Sequence, residues 1–391
     1  MLAESIVTAV KEGIDRDRLV ERATELVRVP SPTRNAGPVA DRFAAILTSD
    51  GFEVERVDAD WPESPAVVTR LDSGRAGRTL QFNGHLDTVH LPFVEPSVRD
   101  DILRGSGASD MKGGVAAFVE AMCVLRETAV LDAGSVLMTA HDHHEGPWGD
   151  KRQLKALIRD GYVGDAVLLP EYLAGVLPLR GRGMGIFRVV VTCLGEPIHE
   201  VLRPTDLPNV VAAAARITDR LYQLAEDLKA RSPGPGVDTV FVGQLEAGEI
   251  YNQAPVEAQL AGTRRWTIPG SGDEAIEEVE SIVEDAAQSY GVSVSFTATR
   301  QGEAFEIDEG DAFVEAFQTA HTASTGRALP VGEKPFLDDG NLFLARAGIP
   351  AITHGPDAHG AHTMDEWVPV DELVRVAEVY ALTAISFCGE A

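Results

Sequence analysis

Short stretches of this chain concentrate the side chains that hold metal ions and move protons. Gly84-His85-Leu86-Asp87 sets a histidine two residues before an aspartate. Ser109-Asp110-Met111-Lys112-Gly113-Gly114 places a carboxylate just ahead of a glycine pair. His141-Asp142-His143-His144-Glu145-Gly146 crowds imidazoles and carboxylates together. Glu171, in Pro170-Glu171-Tyr172, and His362, in Gly360-Ala361-His362-Thr363-Met364-Asp365-Glu366, complete the set. Imidazole and carboxylate are the donors that divalent zinc, cobalt and manganese accept. One His-x-Asp pair is ordinary surface chemistry. The same pair followed by all the other stretches points to a metal centre.

Such ligands must converge from several elements. Strand-like runs at 52–57, 66–70, 79–83, 135–139 and 165–169 alternate with helical apolar spacing at 17–29, 112–127 and 151–158. His85 and Asp87 then follow one strand and Glu171 another, at the strand ends where open α/β sheets present ligands. This alternation predicts a mixed, mostly parallel sheet with helices on both faces. Around 180–185 the glycine density rises and the order changes. Strand 186–192, helix 207–228, strands 239–246 and 256–266, helix 273–289 and strand 292–299 make the β-α-β-β-α-β order of a ferredoxin-like α+β unit. Segments at 311–323, 340–345 and 370–386 return to the first style. The expected layout is a metal-binding domain of 1–182 and 300–391, interrupted by an inserted domain of 183–299.

In order and spacing the motifs resemble the dinuclear zinc peptidases related to glutamate carboxypeptidase, acetylornithine deacetylase, succinyl-diaminopimelate desuccinylase and aminoacylase. The resemblance implies that His85 binds one metal, Asp110 bridges two, and Glu171 and His362 ligate them. Asp87 would orient His85 and raise its basicity. It further implies two divalent ions as cofactor, zinc first and cobalt or manganese as alternatives. The inserted domain would be a lid and a homodimer interface.

One departure changes the question. The family reads Asp-Glu-Glu-x-Gly where this chain reads Asp142-His143-His144-Glu145-Gly146. Aligned without a gap, His143 replaces the general base and His144 the carboxylate ligand. An imidazole with an unperturbed pKa of about 6.5 accepts a proton at working pH. Losing a carboxylate ligand raises the charge of the loaded site from about +1 to about +2. In the rival register Glu145 swings in as base or ligand.

Downstream, His199 falls where the family places a lid histidine that stabilises the oxyanion. Asn252 matches a substrate-contacting amide. Arg265, or Arg264 beside it, matches an arginine that would hold a substrate carboxylate by bidentate hydrogen bonds.

Bulk composition bounds the rest. A chain of 391 residues exceeds a single core, and 44% hydrophobic content is ordinary for a globular protein. No apolar run long enough for a membrane span occurs. A formal charge of −27 opposes nucleic acid or an anionic membrane as partner. Three scattered cysteines give neither a metal motif nor a disulfide framework. The expectation is a cytoplasmic metal-dependent hydrolase of a small carboxylate-bearing N-acyl amino acid or dipeptide-like substrate. Deamination of an aryl amine on the same scaffold, and a metal-free binding protein, are the alternatives.

Overall fold

The computed structural model describes residues 2–231, 236–334 and 336–389. The chain divides into two compact units, one of Met1–Leu179, Ile307–Gly332 and Asp338–Ala391, the other of Arg180–Glu306 and Glu333–Leu337. The outer limits expected at 1 and 391 lie outside the described residues. The inner junctions fall after Leu179 and after Glu306, not after 182 and 299. Pairing explains the shift: Ser293–Gly302 runs the length of Gly183–Thr192, and Phe305 and Glu306 pair with Gly181 and Arg180.

The first unit is built on a six-stranded sheet in the order Val54–Val57, Ala66–Asp72, Ser135–His141, Thr79–His85, Ala166–Leu169, Ala351–Thr353. The last four run parallel, and the first two join antiparallel. Leu80 and Phe82 face one side, where Phe82 stacks on Phe118 of the helix Lys112–Thr128 at 4.3 Å. Tyr380 of the helix Val370–Cys388 closes the group at 4.5 Å from Phe118. On the other side Leu137, Val167 and Leu169 pack under the helices Arg152–Arg159 and Gly340–Ala347. Burial on both faces is why these strands are near-continuous apolar runs.

Lys112–Thr128 has no exposed stripe, since residues 112–125 are all buried. Its first turn is seated by glycine. A Cβ on Gly114 would lie 2.3 Å from the carbonyl oxygen of Pro170, so only glycine lets Asp110 and Glu171 approach.

The second unit is an antiparallel four-stranded sheet, Thr239–Ala247, Glu257–Trp266, Gly183–Thr192, Ser293–Gly302. The helices Val210–Arg231 and Gly272–Gln288 bury Ile217, Leu221, Val279 and Val283 against Val189, Val191 and Leu260. The expected β-α-β-β-α-β order is present. Among the described residues no helix is long and apolar enough to cross a membrane.

Candidate metal centre

Three strand ends and two loops of the first unit bring the ligands together. His85 ends Thr79–His85, the segment after Ser135–His141 carries residues 142–145, and Glu171 follows Ala166–Leu169. His85 Nε2 lies 3.2 Å from Asp110 Oδ1, and His362 Nε2 lies 3.2 Å from Asp110 Oδ2. Asp110 therefore faces a histidine on each oxygen. Glu145 Oε2 lies 3.1 Å from His362 Nε2. His144 Nε2 lies 3.9 Å from Glu171 Oε1. Ligand atoms of His85, Asp110 and Glu145, and those of His85, His144 and Glu171, fall within 4.8 Å of one another.

The gapless alignment placed His143 and His144 where the structure places His144 and Glu145. His143 has a left-handed backbone, φ +68°, just past the strand end. The Asp87 carboxylate then accepts the backbone N–H groups of His144 at 3.1 Å and Glu145 at 2.9 Å. This turn points Glu145 at His362 and sends His143 the other way. The His143 ring sits edge-on to Trp61 at 4.5 Å, with Nδ1 3.3 Å from Asp150 Oδ1. The structure does not bring His143 to the cluster. Glu145, visible as the first residue of Glu-Gly, was the available signal.

Asp87 also differs from expectation. Its carboxylate is 3.7 Å from His85 Nδ1, while its own backbone oxygen lies 3.0 Å from that nitrogen. The carbonyl orients His85, and the carboxylate anchors the 144–145 turn.

Two supporting carboxylates were not assigned roles from sequence. Glu366 accepts backbone N–H groups of Gly107, Ser109 and Asp110 at 3.1–3.3 Å, tying the His362 loop to the Asp110 loop. Burial pushes its carboxyl up to about 7. Asp339, fully buried, lies 2.9 Å from His144 Nδ1 and from His141 Nε2.

The electrostatics call for cations. Burial beside Asp110 drives the Glu171 carboxyl well above its ordinary range. Hydrogen bonds to Asp110 and Glu145 push His362 up to about 10. Three carboxylates in a desolvated pocket repel one another unless positive charge sits among them. The donor set therefore fits divalent ions. Asp110, Glu145 and Glu171 together offer three carboxylates to such ions.

In the second unit the strands Ile198–His199 and Gln253–Ala254 pair, and Asn252 Nδ2 lies 3.2 Å from His199 Nε2. The adjacent arginines separate cleanly. Arg264, 3% exposed, is bound by Asp238 and Glu278, each at 3.1 Å. Arg265 Nη1 is buried without a hydrogen-bond partner, and burial together with the neighbouring Arg182 lowers its pKa.

A family model for the peptidase family M20/M25/M40 matches residues 81–386. A succinyl-diaminopimelate desuccinylase of Gluconacetobacter diazotrophicus is 30% identical over 386 residues, covering 92% of this chain and 94% of that protein. The fold is similar to a tripeptidase of Staphylococcus aureus, with TM-score 0.81, 20% identity, and coverage of 95% of this chain and 99% of that one. It is also similar to a dinuclear metal-binding peptidase of Bacillus subtilis, with TM-score 0.70, 17% identity, and coverage of 95% and 97%.

Proposed function

The chain belongs to the peptidase family M20/M25/M40 and is a metal-dependent hydrolase acting on amide bonds; we propose that its substrate is a small N-acyl amino acid or dipeptide-like compound carrying a carboxylate. The observation that carries this reading is Glu145 beside His362 and Asp110. It keeps a three-carboxylate donor set in a chain whose motif had shifted.

We assign His85, Asp110, Glu145, Glu171 and His362 to two divalent ions, zinc first among them. Bound there, such ions polarise a carbonyl oxygen and acidify water. His144 remains as the third imidazole of the cluster. Its ring stacks on His85 at 3.9 Å and 17°. Two imidazoles that ligate one ion converge on it, whereas these lie side by side. His144 Nε2 is therefore given the proton-accepting role that sequence had given to His143. Burial, reinforced by His85 and Lys151, lowers its pKa and keeps the ring neutral, able to accept.

Arg265 is assigned to the substrate carboxylate, because its Nη1 is left without a hydrogen-bond partner that an anion could supply. Arg264 is excluded from that role by its two acidic partners. His199, with Asn252, is assigned to the carbonyl oxygen. A homodimer through the inserted unit is supported by the edge strand Thr239–Ala247, which exposes Phe241 and Leu245. A reducing, cytoplasmic setting is supported by three cysteines free of disulfides.

The test is a panel of N-acyl amino acids headed by N-succinyl-diaminopimelate, assayed with zinc, cobalt and manganese. Metal-dependent release of a carboxylic acid and an amine is expected. Ammonia without a carboxylic acid would mean deamination. Ligand binding without turnover would mean a binding protein.

A further inference from the structure

Trp148 stands on the turn that begins at Glu145. The Glu145 carbonyl accepts the backbone N–H of Gly149 at 2.6 Å, so residues 145–149 close a single i→i+4 turn with a metal ligand at its start and the indole near its end. The turn is anchored on two sides. The Arg34 guanidinium donates through Nε to the Trp148 carbonyl at 3.1 Å, and the Arg34 backbone N–H donates to Asp142 at 2.9 Å. Thr33 Oγ1 donates to the Glu145 carbonyl at 3.3 Å. Held in this way, Trp148 is 44% exposed, whereas Trp266 is fully buried and Trp61 and Trp367 are half-buried.

A lone exposed apolar side chain is ordinary on any protein surface. Trp148 has a companion. The His90 ring lies 4.2 Å from it, tilted by 39°. His90 is on the loop that leaves the His85 strand, and its Nε2 meets the Thr33 carbonyl at 3.0 Å, which steadies the ring. The two rings thus come from the loops after adjacent parallel strands, Thr79–His85 and Ser135–His141. That carboxyl edge of the sheet also presents His85 and Glu145, and it is where open α/β sheets bind ligands. Aromatic rings favour offset or edge contacts with one another, worth more than the area they bury. A saturated group of the same size gains the burial without that extra attraction. An anchored, open indole beside a reaction centre therefore selects for flatness.

We propose that Trp148, backed by His90, is a stacking platform for a planar ring of the substrate, so that the enzyme prefers N-acyl amino acids bearing an aromatic or heteroaromatic group over those bearing a saturated group of equal size. This deepens the N-acyl amino acid reading given above and rests on it. The binding arm of the test needs no turnover and keeps the two apart.

Zinc-loaded protein labelled with 5-fluorotryptophan gives a fluorine resonance for Trp148, identified by its loss in Trp148→Phe. Two matched pairs of probes are titrated, each a flat ring against its saturated counterpart. N-benzoylglycine and N-cyclohexanecarbonylglycine place the ring on the acyl side, and N-acetylphenylalanine and N-acetylcyclohexylalanine place it on the amino acid side. The flat member of one pair is expected to move the Trp148 resonance at least threefold further than its counterpart, and that pair tells which side of the amide carries the ring. In kinetics with the same pair, kcat/KM should favour the flat member by about fivefold in wild type, and Trp148→Ala should bring the ratio near one. Trp148→Phe, which keeps a π-face, should retain at least half of the preference. A Trp148 resonance that neither flat probe moves would overturn the proposal. So would a preference that survives undiminished in Trp148→Ala. Movement of the resonance by a flat probe, with no acyl amino acid cleaved by wild type, would leave the platform standing and remove the substrate class instead.

Discussion

Glu145 lies beside His362 while His143 lies against Trp61 and Asp150, and the consequence is testable one side chain at a time. Glu145→Gln removes a carboxylate from a desolvated cluster and leaves His362 with Asp110 alone. Losing one of three anionic donors is expected to loosen the second ion while the first stays tight. Zinc titration should show one tight and one weakened site. His143→Ala should keep metal content, and kcat within about threefold, because its ring meets Trp61 and Asp150 rather than the ligands. A collapse of kcat in His143→Ala at unchanged metal content would restore the gapless reading. Most of the centre was legible: His85, Asp110, Glu171 and His362 converge as their motifs required. The 142–145 turn was not, because a single left-handed residue shifts which side chains face inward, and residue type does not announce φ. Asp339 was not legible as a partner of His144, which lies 195 residues away.

At the scale of elements, strands and helices with strong periodicity appear close to their expected limits. The helices Glu4–Gly13 and Gly37–Ser49 and the short strand Ala351–Thr353 escaped notice. The strand has three residues, too few for a period to show. The seating of Lys112–Thr128 on the Glu171 strand end is a point of tight tolerance. Gly114→Ala would press a methyl group onto the Pro170 carbonyl. A loss of roughly 1–3 kcal/mol in unfolding free energy is expected. Zinc affinity should drop with it, because the same approach positions Asp110 and Glu171. Unchanged stability would mean that the helix can shift freely.

A second elemental contact sets an acid limit. His354 is buried against Phe317, and the Arg375 guanidinium donates to its Nε2 at 3.1 Å. Burial, with Arg375 and His321 adding repulsion, depresses its pKa well below the usual value. The unfolded chain binds this proton near pH 6.5 and the folded chain does not, so stability falls as pH drops below about 6.5. His354→Gln should flatten the decline of Tm between about pH 7 and 5. An unchanged slope would place the acid sensitivity elsewhere.

For the whole molecule, the residues given roles above divide between two compact units. The first carries His85, Asp110, Glu145, Glu171 and His362, and the second carries His199, Asn252 and Arg265. If the inserted unit mediates dimerisation, Phe241→Asp with Leu245→Asp should yield monomers in sedimentation, without change in metal content. Persistent dimers would put the interface on another surface. The charge of −27 bears on solubility, and it is not the source of the site's chemistry.

The central claim is that Glu145, rather than His143 or His144, completes a two-metal amide hydrolase. Metal content per chain by elemental analysis, on wild type, Glu145→Ala, His143→Ala and His144→Ala dialysed against the same free zinc concentration, tests it most directly. Two ions are expected in wild type, His143→Ala and His144→Ala, and one in Glu145→Ala. Two ions retained in Glu145→Ala, with one lost from His144→Ala, would contradict the assignment.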